Sequence, residues 1–156
     1  MIVYRIAHKH YIDDRDGMGA KLFGGRWNAI NLPCIYTSIH ISLALLEKFI
    51  HAKVAENMQN ISLLKIELPE DQIFNIDKNK LKSSWIDDVE YTQWLGAQIL
   101  EDHSILAFSV PSAIVPEERN VIINPLSANF KSVKFLEITD FDTDYRLLGK
   151  LLDSAI

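Results

Sequence analysis

The 156-residue sequence contains one cysteine, Cys34, so it can form no internal disulfide and no cysteine-based metal cluster. No apolar run approaches the roughly 20 residues of a membrane-spanning helix. The first residues enter a strand-like segment at once, without the basic and apolar regions of a secretion signal. A reducing cytoplasm is therefore the expected setting, with no membrane partner. Positive charge is also scarce: 16 Lys and Arg against 21 Asp and Glu give a formal net charge of −5. That balance argues against broad nucleic-acid binding, while leaving room for a local basic pocket that takes a phosphorylated small molecule. The glycines between Gly17 and Gly25 end in no Gly-Lys-Ser or Gly-Lys-Thr and lack dinucleotide-fingerprint spacing, and no Gly-x-Ser-x-Gly elbow occurs. ATPase and serine-hydrolase chemistry thus have no sequence support. His8, His10, His40, His51 and His103 form no compact ligand pattern, so no metal is expected.

What is present suits a single folded domain over residues 1–156. Hydrophobic residues make up 48% and charged residues 24%, enough for a real core and too apolar for a disordered chain. The patterns predict strands at Ile2 to Ala7, Pro33 to Thr37, Ile61 to Leu68, Ile105 to Val110, Asn120 to Ile123 and Val133 to Ile138. They predict helices from Ser38 or Ser42, as cap, to about Asn57, from Val89 to Leu100, and from Tyr145 to Leu152. Leu43, Leu46, Ile50 and Val54 define the expected inward face of the first helix, and Tyr91, Trp94, Leu95 and Ile99 recur at helix-like spacing in the second. The stretch from His8 to Asn31 is a long, glycine-containing connection, and connections of that length are commonly functional. The fold class is α+β, a compact single domain around a mixed β-sheet.

The most informative feature is the run Gly24-Gly25-Arg26-Trp27-Asn28, followed by Tyr36 and then by Glu47 inside an apolar helix pattern. Arg26 presents a rigid fork of donors that fits phosphate oxygens, and the glycines let a ligand approach the backbone. Its plainer alternative is a surface salt bridge. Tyr36 offers a ring for stacking and a hydroxyl for a phosphate or ribose, or serves as a core residue with a wet edge. Glu47 lies beside or on the apolar face, where a carboxylate needs a partner. That partner is a ligand cation, Arg26 or Arg5, or it is a scaffold ion pair. Ser112 and Asn120 flank a proline-bounded turn and can bind a ribose or amide, or cap their own turn. Trp27, Trp85 and Trp94 line a pocket or pack the core.

Taken together, these residues resemble the RES-domain family, the toxin component of bacterial Xre–RES toxin–antitoxin systems. The resemblance runs through Tyr4-Arg5-Ile6, Gly25-Arg26-Trp27-Asn28, Tyr36, Ala44-Leu45-Leu46-Glu47, Val110-Pro111-Ser112-Ala113-Ile114-Val115-Pro116, Glu118-Arg119-Asn120 and Asn124-Pro125. It spans about four fifths of the chain and is far more specific than any one motif. It implies an ADP-ribosyltransferase-like fold, and cleavage of NAD+ at the nicotinamide–ribose bond by hydrolysis or by phosphorolysis with inorganic phosphate as co-substrate. It also implies catalytic roles for Arg26, Tyr36, Glu47 and Ser112, with Arg5, Trp27 and Asn120 joining Arg26, Tyr36 and Ser112 in substrate binding. No cofactor is required. A cognate Xre-type antitoxin is the implied partner, and operator DNA is reached only through it. Protein mono-ADP-ribosylation is the alternative activity, and a catalytically weak nucleotide- or protein-binding module the alternative class. Relatives continue Asn124-Pro125 with a histidine and a proline, whereas this chain has Leu126-Ser127-Ala128.

Overall fold

The computed structural model describes residues 1–52, 55–144, 146–147 and 149–150. Its strands are β1 (Ile2–His8), β2 (Ile35–Ser38), β3 (Ile61–Glu67), β4 (Ile73–Asn75), β5 (Ala107–Pro111), β6 (Arg119–Ile123) and β7 (Lys134–Asp140). Its α-helices are α1 (Met18–Phe23), α2 (Ile41–His51) and α3 (Val89–Leu100). The strands form one sheet in the order β4-β5-β6-β2-β1-β3-β7. Every pairing is antiparallel except β4 with β5. The α+β class and the mixed sheet expected from the sequence are what the chain adopts.

Side chains alternate across this sheet with the period of two that strands impose. Val121 and Ile123 enter a core with Val3, Ile35, Leu64 and Ile66, whereas Ile122 joins Trp27, Trp85, Phe108 and Val110 on the other face. A third cluster sets Ile6, Ile61 and Leu63 against Ala44 and Ala52 of the α2 segment. Each fully buried aliphatic or aromatic side chain of this kind contributes about 1.5–3 kcal/mol, so burial on both faces holds the central strands.

The pairing is uneven. Seven registered pairs join β1 to β3, from Ile2 with Glu67 to His8 with Ile61, but β1 and β2 meet only at Tyr4 and Ser38. The sheet is thus nearly parted at its middle, and that parting makes room for a cleft.

The helix α2 differs from its sequence reading in which face turns inward, whereas on α3 Tyr91, Leu95 and Ile99 do pack on the core. On α2, Leu43 and Ala44 are buried, with Ile41, Leu45 and Phe49 packed on the third cluster, while Leu46 and Ile50 are exposed. The phase is set by the strands the helix meets, which periodicity alone does not reveal. The helix ends at His51 instead of Asn57, its N-cap is His40 with no side-chain cap bond, and Val54 lies outside the described residues. On α3, Trp94 is exposed and the buried residues are Thr92, Gly96, Ile99 and Leu100. The three-residue β4 was not anticipated, being too short to show a period. The helix expected over 145–152 falls largely outside the described residues.

Small residues face inward on α3 because it seats against main chain. The Thr92 hydroxyl donates to the Arg26 carbonyl at 2.6 Å, and Gln93 Nε2 donates to the Gly25 carbonyl at 2.9 Å. A Cβ on Gly96 would lie 1.6 Å from the Trp27 carbonyl oxygen. Gly96→Ala is expected to cost about 3 kcal/mol, the upper end for overpacking, as a lowered urea midpoint. An unchanged midpoint would show that α3 does not rest on this backbone.

Candidate active site

The parting between β1 and β2 opens into a cleft of about 530 Å³, bordered by Arg5 and Ile6 on one strand, Tyr36 and Thr37 on the other, α2, and the Gly24–Trp27 segment. Of the residues singled out in the sequence, Arg5, Arg26, Trp27, Tyr36, Glu47 and Asn120 border this space. Ser112 is the exception, fully buried behind it.

Glu47 is the node of the site. One turn of α2 beyond Leu43, it projects from the helix flank that borders the cleft, with 23% of its side chain exposed. Its Oε1 accepts from Ser112 Oγ at 2.9 Å and from Asn120 Nδ2 at 2.6 Å. Asn120 is fixed in turn by the Ser38 hydroxyl, which donates to its Oδ1 at 2.7 Å. The Ser112 hydroxyl accepts from the backbone N–H groups of Ile114 and Val115, both at 3.1 Å. Ser112 thus caps its turn and orients Glu47 at once, and a ribose contact from its buried hydroxyl is not what this packing provides. Asn120 likewise turns its amide to the carboxylate. With Oε1 held by two donors, Oε2 is left with His51 Nε2 at 3.9 Å, one helical turn away. None of the described ion pairs joins Glu47 to an arginine, and its one described ionic neighbour is His51 on the same helix.

Tyr36 is committed to shaping the cleft wall. Its hydroxyl donates to Asn28 Oδ1 at 2.7 Å and accepts from the Trp27 N–H at 3.0 Å. Asn28, wholly buried, donates from Nδ2 to the Ala20 and Leu32 carbonyls at 2.8 and 2.9 Å. Gly25 completes the bend, since a Cβ there would lie 2.6 Å from the Tyr36 hydroxyl oxygen. The expected contact of that hydroxyl with a phosphate or ribose therefore competes with two internal bonds, while the ring still borders the cleft. Burial pushes the Tyr36 phenol well above its usual pKa, so it is a neutral group. The neighbouring Cys34 thiol is raised by burial from 9.0 to about 12, which makes it unreactive.

The positive charges are placed differently. Arg26 donates from Nη1 to the Ile86 carbonyl at 2.8 Å and holds its guanidinium 5.7 Å from the centre of the Trp85 ring. No described ion pair includes it, so the salt-bridge alternative does not hold among the described residues. Arg5 is half-buried on β1, where loss of solvent lowers its pKa against the opposing pull of Asp14. Trp27 is 2% exposed and packs against Trp85 and Phe108, so its indole belongs chiefly to the core. Trp94 points to solvent.

The residues 124–128, where the resemblance leads one to expect a histidine, do not border the cleft. Asn124 is a buried turn-former, donating to the Leu100 and Ile105 carbonyls. Sequence reasoning missed Asn28, Ser38 and Lys48 as parts of the site. Asn28 had a signal in its run, Ser38 was read as a helix cap, and Lys48 looked like an ordinary solvated helix lysine. Among the described residues no group of three or more His, Cys, Asp or Glu could hold a metal ion.

Residues 2–144 match the family model of the RES domain. The chain is 39% identical over 152 residues to the protein named Toxin Res of Photorhabdus laumondii subsp. laumondii, covering 95% of this chain and 97% of the relative. It is 30% identical over 151 residues to the Prs ADP-ribosylating toxin of Sphingobium sp., covering 92% of each. Among solved structures, its fold is similar to a chain of the M. tuberculosis MbcT-MbcA toxin-antitoxin complex, with TM-score 0.74 and 20% identity over 96% of this chain and 87% of that one.

Two outcomes are expected from this geometry. Tyr36→Phe leaves Asn28 Oδ1 and the Trp27 N–H without their shared partner, which should cost about 1–3 kcal/mol in equilibrium unfolding. No measurable loss would free the hydroxyl for another role. Cys34 and Tyr36 both hold their protons more tightly folded than unfolded, so their contribution is intact below pH 9 and is lost as pH rises toward 12. The melting temperature should fall across pH 9–11, and less steeply in Cys34→Ala. An identical slope would exclude Cys34 as a cause.

Proposed function

The chain belongs to the RES-domain family, and from that premise we propose that it is the toxin of a toxin–antitoxin pair, which degrades NAD+ by breaking the nicotinamide–ribose bond. The observation that carries this reading is the Glu47 carboxylate, oriented through one oxygen by Ser112 and Asn120 and presented at a cleft that also holds Arg26 and Arg5. A nicotinamide departs as a neutral molecule and leaves positive charge on the ribose. A carboxylate already oriented, with no reorganisation needed, stabilises that charge as it develops.

The remaining side chains divide the work. Arg26 grips the pyrophosphate through its planar fork, Arg5 adds a second positive charge at the phosphate end, and the Tyr36 ring packs against the nicotinamide-ribose end. Ser112 and Asn120 act through Glu47, keeping its charge aimed. The incoming nucleophile is water or inorganic phosphate. No cofactor takes part in this scheme. The division of the sheet beside the cleft fits an ADP-ribosyltransferase-like fold, with the chain over 1–156 forming one RES domain that acts in the cytoplasm. A cognate antitoxin of the Xre type covers the cleft and carries any contact with operator DNA. The similarity to the Prs ADP-ribosylating toxin favours one second reading, in which the same ribose cation is captured by a protein side chain.

Purified protein incubated with NAD+, with and without inorganic phosphate, is expected to release nicotinamide, with ADP-ribose or its phosphorylated form identified by mass spectrometry. Glu47→Gln keeps an Oε1 acceptor for Ser112 and Asn120 but removes the charge, so turnover should fall about 100-fold or more with little change in melting temperature. Arg26→Lys should raise KM for NAD+ about tenfold through loss of the bidentate grip. Full turnover in Glu47→Gln would overturn the reading, and label retained on protein would favour the second one.

A further inference from the structure

We propose that Arg5 and Lys48 form a second oxyanion subsite in the cleft, separate from Arg26, which binds a tetrahedral phosphate group. Both residues border the same space. Arg5 reaches it from β1, and Lys48 from the residue after Glu47 on α2, about 100° further round the helix. Arg26 stands elsewhere on the wall, anchored to the Ile86 carbonyl and the Trp85 ring.

These two cations are an unresolved cost in the protein by itself. Arg5 Nε is buried and has no hydrogen-bond partner among the described residues, and neither residue belongs to a described ion pair. Buried donors are almost always satisfied, and exceptions point to strain, to a catalytic role, or to a bound water or ion. Lys48 is half-buried, and its pKa is drawn down by loss of solvent and then by the Arg5 charge. Like charges held together away from water repel, and a dianion between them would relieve both the repulsion and the unpaired N–H.

The nearby carboxylates do not supply that anion. Asp14 favours the charged form of Arg5, but its two oxygens accept the N–H groups of Met18 and Gly19 at 2.9 and 2.8 Å. Glu47 Oε1 is taken by Ser112 and Asn120, and its Oε2 faces His51. The bound group is then either a phosphate of the dinucleotide or free inorganic phosphate. Its role in turnover rests on the NAD+ reading above, whereas binding of inorganic phosphate to the protein alone does not.

The test is thermal unfolding and calorimetric titration of the NAD+-free chain with inorganic phosphate, against chloride at matched ionic strength. Phosphate should raise the melting temperature of the wild type. Lys48→Met should melt higher than wild type in chloride, because an unpaired charge is gone, yet bind phosphate at least tenfold more weakly. Lys48→Arg should recover binding. Absence of a phosphate-specific shift in the wild type, or a full shift retained in Lys48→Met, overturns the subsite. So does a shift abolished by Arg26→Lys and kept in Lys48→Met. Turnover then separates the two sources: a raised KM for NAD+ in Lys48→Met with or without phosphate assigns the dinucleotide, and loss of only the phosphate-dependent rate assigns the free anion. A chain that binds phosphate through Lys48 but turns over no NAD+ keeps the subsite and rejects the NAD+ reading.

Discussion

The single residue pair joining β1 to β2, Tyr4 with Ser38, is the constraint on which the rest of this structure depends. Had the two strands zipped along their length, Arg5 and Tyr36 would sit under continuous sheet and no cleft would exist between them. The Gly24–Trp27 segment and the flank of α2 line the opening between the parted strands, and the first is held by contacts that tolerate little change. Gly96 admits the Trp27 carbonyl, Gly25 admits the Tyr36 hydroxyl, and Asn28 fastens the bend to α1 and to Leu32.

The same parting explains the electrostatics. The chain as a whole is acidic, with 16 basic against 21 acidic side chains, yet Arg5, Arg26 and Lys48 border one small space with Glu47 as the facing acid. Surface carboxylates elsewhere pair with lysines and arginines, as Lys65 does with Glu137 and Arg146 with Asp144, and such exposed pairs add little stability. Among the described residues no ion pair takes in these cleft cations. The desolvation of Arg5 and Lys48 and the repulsion between them are a local destabilisation that the surrounding core offsets, an arrangement that makes sense where a polyanionic ligand completes the balance.

Much of this was legible in the residues. Alternation located six of the seven strands to within a few positions, and α3 was read over its full span, because those segments bury residues at the periods their backbones impose. Arg26, Tyr36 and Glu47 stood out because a cation beside glycines and a carboxylate in an apolar helix are at odds with their surroundings. Other features were hidden. Leu46 and Ile50 look like core residues in sequence and are exposed, since the phase of α2 follows from which strands it meets. Ser38 reads as a helix cap, and its hydroxyl instead fixes Asn120, 82 positions away.

Composition and local pattern by themselves determined the α+β class, the lack of disulfides and the cluster of polar residues from which a site could be built, because each follows from residue chemistry or short-range periodicity. Tertiary structure alone decided the division of labour among those residues. It put Ser112 and Asn120 on one oxygen of Glu47, drew the Tyr36 hydroxyl into the wall, buried Trp27 in the core and brought Lys48 and Arg5 to the border of one cleft. Those outcomes depend on contacts between segments distant in the chain, and on how far β1 and β2 separate after Tyr4 and Ser38 have met.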